Sequence, residues 1–302
     1  MTYQLFKSYI RDHICNAFPE GTTVNIQSVQ KNNQVLLDGL TIMESDCNVA
    51  PTIYLNDYYA DYCNGASLEE IINRIMTLYQ SAKPDAPIDI SFFTDFEQAQ
   101  NHIMFKLINY EKNENLLRDI PHFSYMDLAI VFYCMVESRS TGNATILIRN
   151  NHLSLWDISA EVLYQYARRN TPTALPPLCQ PLTSMLIDIL GEEAVPPDLC
   201  KVNDTEHVPP LFVLTNEKKY FGACTLLYPD SLKQVATQLQ QDLYILPSSI
   251  HEVLLLPVET QMSPDELCEM VREVNQTQLS QEEILSDHIY YYSLDRDTLR
   301  MA

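Results

Sequence analysis

Glycine is scarce in this chain, with six residues among 302. No two glycines lie close enough to build the loop that cradles a phosphate or a dinucleotide. The sequence also has no G-x-S-x-G motif, the strand-to-helix turn that presents the nucleophile of many hydrolases. These absences remove the commonest sequence signatures of nucleotide-dependent enzymes and of serine hydrolases.

Long apolar runs and paired cysteines are also missing. The longest apolar run, Leu128–Val136, is far shorter than the roughly 20 residues that a membrane helix needs. The first fifteen residues contain no apolar core, so we expect no signal peptide. None of the eight cysteines forms a C-x-x-C pair, and Cys134 and Cys224 lie inside apolar runs. We therefore expect buried, free thiols and a cytoplasmic location.

Positive charge is in deficit, because 40 acidic residues face 19 basic ones and the formal net charge is −21. Such a surface repels nucleic-acid phosphates and anionic lipids, so neither nucleic acid nor membrane is an expected partner. The acidic residues are dispersed, which is typical of a surface tuned for solubility. The alternative is an acidic nucleic-acid mimic or an immunity-type protein.

The residues present favour an α+β fold, mainly antiparallel sheet with amphipathic helices packed on it. The stretch 211–257 predicts a ββαββ unit with strands at Phe212–Thr215, Ala223–Tyr228, Leu243–Leu246 and Val253–Leu256 and a helix around Leu232–Leu239. Consecutive apolar positions in these strands indicate burial on both faces, and hence a central place in the sheet.

Capping patterns locate two further helices. Ser67 with Glu70 and Ser263 with Glu266 have the spacing of a capping box, each followed by an apolar stripe. The proline-bounded linker after the first of these helices predicts an N-terminal α+β subdomain at 1–85 and a larger α+β domain at 86–302.

The cluster Ser248-Ser249-Ile250-His251-Glu252 contains the residue types of a nucleophilic triad. Ser248, Ser249, His251 and Glu252 are accordingly the candidate catalytic residues. Neighbouring strand residues point to opposite faces, which favours a structural turn instead. A zinc-protease motif is excluded because Leu255 stands where H-E-x-x-H requires a histidine.

A turn at residues 216–220 is the one basic turn with an aromatic neighbour, and it supplies candidate binding residues Asn216, Lys218 and Tyr220. An enzyme site at the serine cluster could be completed by this turn, by His122 or by His152. The seven histidines show no metal-ligand spacing, so we predict neither a metal nor a cofactor.

Several segments resemble a known family, above all DLYILPSSIHEVLLLP at 242–257, with NHIMFKLINYEKNENLLRDIPH at 101–122 and GNATILIRNNHLSLW at 142–156. They are similar to the domain of unknown function 5688 family, common in gut Firmicutes. The resemblance implies a cytosolic bacterial α+β protein and carries over no activity, cofactor or catalytic residue.

Taken alone, the sequence favours a non-enzymatic binding or protein-interaction module, for which a protein partner is the expected kind. The first alternative is a hydrolase-type enzyme with a site near residues 248–252. The second is the acidic mimic or immunity-type protein described above.

Overall fold

The computed structural model describes residues 1–45, 47–84, 91–138, 142–191, 211–247, 249–259 and 262–302. The protein is α+β with antiparallel sheets, which confirms the predicted class. It forms two compact units, Met1–Gln98 with Met135–Ile146, and Ala99–Cys134 with Leu147–Ala302. The predicted boundary after residue 85 lies outside the described residues and stays a prediction.

The strands are β1 Thr23–Gln30, β2 Leu36–Met43, β3 Thr52–Tyr54, β4 Ile103–Asn109, β5 His122–Tyr125, β6 Leu128–Ser138, β7 Gly142–Leu147, β8 Pro177–Pro181, β9 Phe212–Asn216, β10 Leu243–Leu246, β11 Val253–Pro257, β12 Tyr290–Ser293 and β13 Thr298–Met301. The helices are α1 Tyr3–Ala17, α2 Leu55–Cys63, α3 Leu68–Ala82, α4 Phe96–Ala99, α5 Glu114–Leu117, α6 Asn150–Trp156, α7 Ala160–Ala174, α8 Leu182–Leu190, α9 Ser231–Leu239 and α10 Pro264–Thr277. Among the described helices, none has both the length and the apolarity needed to cross a membrane.

The first unit packs helices α1, α2 and α3 with a sheet of order β1-β2-β3. Helix α3 starts as predicted, because the Ser67 hydroxyl accepts a hydrogen bond from the Glu70 N–H at 3.2 Å. Its stripe contributes Ile71, Ile75 and Tyr79 to a core that α1 shares. The amphipathic period of each helix therefore determines which face it buries.

The second unit contains a six-stranded sheet of order β13-β12-β10-β11-β9-β8, antiparallel throughout. Strands β10 and β11 hold its two middle places, and Ile245, Leu246, Leu255 and Leu256 are all buried. This confirms that consecutive apolar residues mark the central strands. Helix α10 begins with the predicted capping box of Ser263 and Glu266.

One predicted strand of the 211–257 unit is wrong. Residues Gly222–Leu227 form a 3₁₀ segment instead of a strand. Strand β9 pairs with β11 on one side and β8 on the other, so neither edge is left for residues 223–228. Their apolar character comes from burial in the interior, and a short apolar run alone cannot distinguish a buried strand from a buried turn.

A carboxylate in the second unit joins two of its elements. Asp127, just before β6, accepts hydrogen bonds from the Tyr290 hydroxyl at 2.7 Å and from the Ser286 hydroxyl. Both donors are fully buried. Nearby, the Asn109 amide donates to the Leu285 carbonyl at 3.0 Å. Residues 285–290 are therefore held by polar contacts as well as by the pairing of β12.

We predict that Asp127→Asn lowers the free energy of unfolding by about 1–3 kcal/mol, the cost of leaving a buried polar group unsatisfied. The amide keeps the shape of the carboxyl group but replaces one acceptor with a donor, so one of the two hydroxyls loses its acceptor. Urea unfolding can be followed by the fluorescence of the single tryptophan, Trp156. The control is Asp295→Asn at an exposed position. Equal stability of the two variants would contradict this account.

Candidate functional site

Two segments from the sequence analysis meet where β9 ends and β11 begins in the six-stranded sheet. In the β9–β11 pair, Leu214 lies opposite Val253. Because the strands are antiparallel, the residues that follow β9 emerge beside those that precede β11. We call residues 215–222 and 249–252 the His251 corner.

The two segments of the His251 corner approach each other closely at Gly222. The Thr215 hydroxyl donates to the His251 carbonyl oxygen at 2.7 Å. A Cβ at Gly222 would lie 2.1 Å from Thr215 Oγ1 and 2.3 Å from His251 O. Only glycine fits this position, because real Cβ atoms do not approach backbone so closely.

The His251 ring is oriented by the neighbouring turn. Its Nδ1 accepts the Phe221 N–H at 3.2 Å, and its Nε2 lies 4.0 Å from Glu283 Oε1. The Phe221 ring is nearly parallel to it, at 9° and 5.8 Å between centroids. Because Nδ1 accepts, the neutral ring carries its proton on Nε2. About a quarter of the side chain, 26%, remains exposed.

Ser249 and Glu252 bind each other. The Ser249 hydroxyl donates to Glu252 Oε1 at 2.7 Å and accepts the His251 backbone N–H at 3.0 Å. Ser249 is buried. The hydroxyl thus closes the turn and is directed at the carboxylate, away from the imidazole. Ser248, the other candidate serine, lies outside the described residues.

Asn216 organises the second segment of the corner. Its Oδ1 accepts from the N–H groups of Lys218 at 3.1 Å and Tyr220 at 3.3 Å, while its Nδ2 donates to the Tyr220 carbonyl at 2.8 Å. Asn216 is fully buried. The Tyr220 ring lies 5.9 Å from the His251 ring. The Asn216 turn and His251 are therefore neighbours, joined by Thr215 and Phe221.

Sequence reasoning missed two charged residues at this corner. Lys106 is the one charged residue of β4, and its Nζ lies 3.9 Å from the centroid of the Phe221 ring. Glu283 reaches the other side of the corner, where its carbonyl accepts the Ile250 N–H at 2.9 Å. A lysine inside an otherwise apolar strand was the available signal, since such a charge needs a favourable partner.

The two histidines considered as partners of the serine cluster have local bonds of their own. His122 Nδ1 lies 3.1 Å from the Ile120 carbonyl, which can only accept, so this nitrogen carries a proton. His152 Nδ1 accepts the Arg149 N–H at 3.0 Å at the start of α6. Burial, followed by the charge of Arg149, lowers the pKa of His152.

A separate cleft of about 420 Å³ lies beside α10. Its walls include Lys112, Arg272, Asn275, Leu279, Ile284 and Asp287, and we call it the Asn275 cleft. The Lys112 ammonium lies 2.9 Å from Asp287 Oδ2. Burial alone would raise the pKa of Asp287, but hydrogen bonds from Asn275 and Lys112 outweigh it and lower that pKa. Polar groups thus meet here without any sequence motif.

Metal chemistry has no candidate centre in the described part of the chain, where no three His, Cys, Asp or Glu side chains converge to hold an ion.

The two buried thiols are also poor nucleophiles. Cys134 and Cys224 are fully buried, as predicted, and burial raises the pKa of each to about 12. The absence of a metal and a cofactor from this protein stays a prediction.

The fold and these contacts define an α+β protein with polar clusters at the His251 corner and in the Asn275 cleft. The chain belongs to the family of unknown function DUF5688, which matches residues 3–294. The resemblance seen in the sequence is thereby confirmed across nearly the whole chain. Among curated proteins, none matches the chain.

Substitution of the corner glycine tests how tightly the two segments pack. We predict that Gly222→Ala lowers the free energy of unfolding by about 3 kcal/mol, because the added carbon overlaps the His251 carbonyl. Ser280→Ala, at an exposed serine, is the control. Urea unfolding should show the smaller loss for the control. The reverse order would contradict the close approach at Gly222.

Proposed function

We propose that this protein is a non-enzymatic binding protein of the bacterial cytosol. The observation that carries the proposal is the direction of two hydrogen bonds in the His251 corner. Ser249 gives its proton to Glu252, and His251 Nδ1 accepts from the Phe221 N–H. In nucleophilic catalysis the Ser249 hydroxyl would have to donate to an unprotonated nitrogen of the His251 ring. Here the hydroxyl donates to Glu252, and the unprotonated nitrogen accepts from a backbone N–H.

A serine nucleophile needs its hydroxyl hydrogen-bonded to an unprotonated imidazole nitrogen, which then removes the proton. In the His251 corner the unprotonated nitrogen is Nδ1, and it is already occupied by a backbone N–H. The other nitrogen, Nε2, carries the proton and lies towards Glu283. Ser249 and His251 are thus arranged to hold two segments together, and this supports a structural role for the corner.

Two further observations favour binding in the cytosol. The Asn275 cleft offers charged and amide side chains beside apolar ones, the mixture found in small-molecule sites. The buried thiols of Cys134 and Cys224 suit a reducing compartment.

Stability distinguishes a structural serine from a catalytic one. We predict that Ser249→Ala lowers the free energy of unfolding by about 1–3 kcal/mol, because it leaves the part-buried His251 N–H without its acceptor and Glu252 without a donor. Ser280→Ala, at an exposed serine, is the matched control and should be neutral. A catalytic serine is commonly held at a cost to stability, so its removal would be neutral or stabilising.

A turnover screen completes the test. We expect the purified chain to hydrolyse ester, amide and phosphoester substrates no faster than buffer does. Hydrolysis that His251→Gln abolishes and His13→Gln, at an exposed histidine of the first unit, preserves, with both variants folded, would contradict the proposed function.

A further inference from the structure

Strand β1 is an open edge of the three-stranded sheet in the first unit. Its eight residues, Thr23–Gln30, pair one-to-one with Leu36–Met43 of β2, and among the residues that the structure describes no strand pairs with its other side. None of the eight residues is buried, and five are exposed. Because alternate N–H and C=O groups of an edge strand point away from the sheet, β1 presents a row of them to solvent.

The features that usually protect an edge strand are missing from β1. It contains no proline and no charged residue, and its unbroken register with β2 leaves no bulge. Three edge strands elsewhere in the chain do carry protection. Strand β3 has three residues, β8 has a proline at each end, and β13 has four residues including Arg300. An open, regular and uncharged edge of eight residues is suited to pairing with another strand.

The charges around β1 favour a second copy of this chain as the partner. Two chains that each carry −21 repel each other, and an uncharged strand lets their backbones meet without bringing like charges together. The nearest charges on either side of the strand have opposite signs, Glu20 before it and Lys31 after it. The Lys31 ammonium lies 4.3 Å from the centroid of the Tyr54 ring, so it is held against the sheet. Antiparallel pairing of β1 with its own copy therefore puts the acidic end of each strand beside the basic end of the other.

Centring this pair on Ile26 matches both the faces and the ends of the two strands. Residues directly opposite each other in an antiparallel pair lie on the same face of the sheet. Ile26 packs against the core of the first unit, whereas Asn25 and Gln27 are exposed. With Ile26 opposite its own copy, the core-facing side continues across the junction, and Asn25 lies opposite Gln27 of the second copy. The same register places Glu20 one residue away from the position opposite Lys31.

We propose that the protein forms a symmetric dimer through antiparallel pairing of β1 with β1 of a second copy, centred on Ile26. The two three-stranded sheets then join into one sheet of order β3-β2-β1-β1-β2-β3. One pair of eight-residue strands is a small interface, so we expect a reversible dimer with a dissociation constant on the order of 10 μM.

Sedimentation equilibrium of the full chain measures the dimer, and substitutions at the two exposed positions test its register. Asn25→Lys combined with Gln27→Lys places lysines opposite each other twice, so it should weaken dimerisation about tenfold or more. Asn25→Lys combined with Gln27→Glu places lysine opposite glutamate, so it should dimerise about tenfold or more tightly than the double-lysine variant. General repulsion between chains predicts the reverse order, because the double-lysine variant is the less acidic of the two.

The matched control adds the same charge in the second unit. Gln276→Lys combined with Gln278→Lys changes two exposed residues there and should not weaken the dimer. Far-ultraviolet circular dichroism checks that all three variants are folded. A wild-type chain that stays monomeric at millimolar concentration would overturn the proposal. So would a dimer that the double-lysine variant leaves intact, or equal weakening by the two β1 variants.

Discussion

The antiparallel pairing of β9 with β11 is the constraint on which the second unit depends. It places the Asn216 turn beside residues 249–252, and the Thr215 hydroxyl closes the gap by binding the His251 carbonyl. Gly222 must pack against this contact, which fixes the start of the 3₁₀ segment behind it. We therefore expect a change at any of these positions to disturb both the end of the β9–β11 pair and the orientation of the His251 ring.

Much of the fold could be predicted from the sequence, because many elements are determined locally. The serine caps at 67 and 263 and the apolar stripes that follow them specify two helices without reference to the rest of the chain. The central strands follow from consecutive apolar residues. Residues 223–228 could not be assigned in this way, because their conformation depends on β8 occupying the second edge of β9. Strand β8 itself begins and ends with proline. Proline argues against a strand when only the sequence is known, although an edge strand tolerates it.

Most members of the candidate site were predictable, with Lys106 and Glu283 as exceptions, and its hydrogen bonds were not. Residues 216–220 and 249–252 stand out by composition, and they do meet. Whether the Ser249 hydroxyl turns to Glu252 or to an imidazole is a question of a few ångströms, which no spacing rule decides. The Asn275 cleft gave no signal at all, because Lys112 and Asp287 are 175 residues apart and its other residues lie on α10 or in the segment that follows it, without a motif.

The tautomer of His251 tests the central claim, that this corner is a structural joint. Long-range proton–nitrogen correlation spectra of the imidazole distinguish a ring protonated at Nε2 from one protonated at Nδ1. The contact between Phe221 N–H and Nδ1 predicts a neutral ring with its proton on Nε2 and an unprotonated Nδ1. A proton on Nδ1, with Nε2 free to accept from a hydroxyl, is the arrangement of a catalytic histidine and would contradict the account.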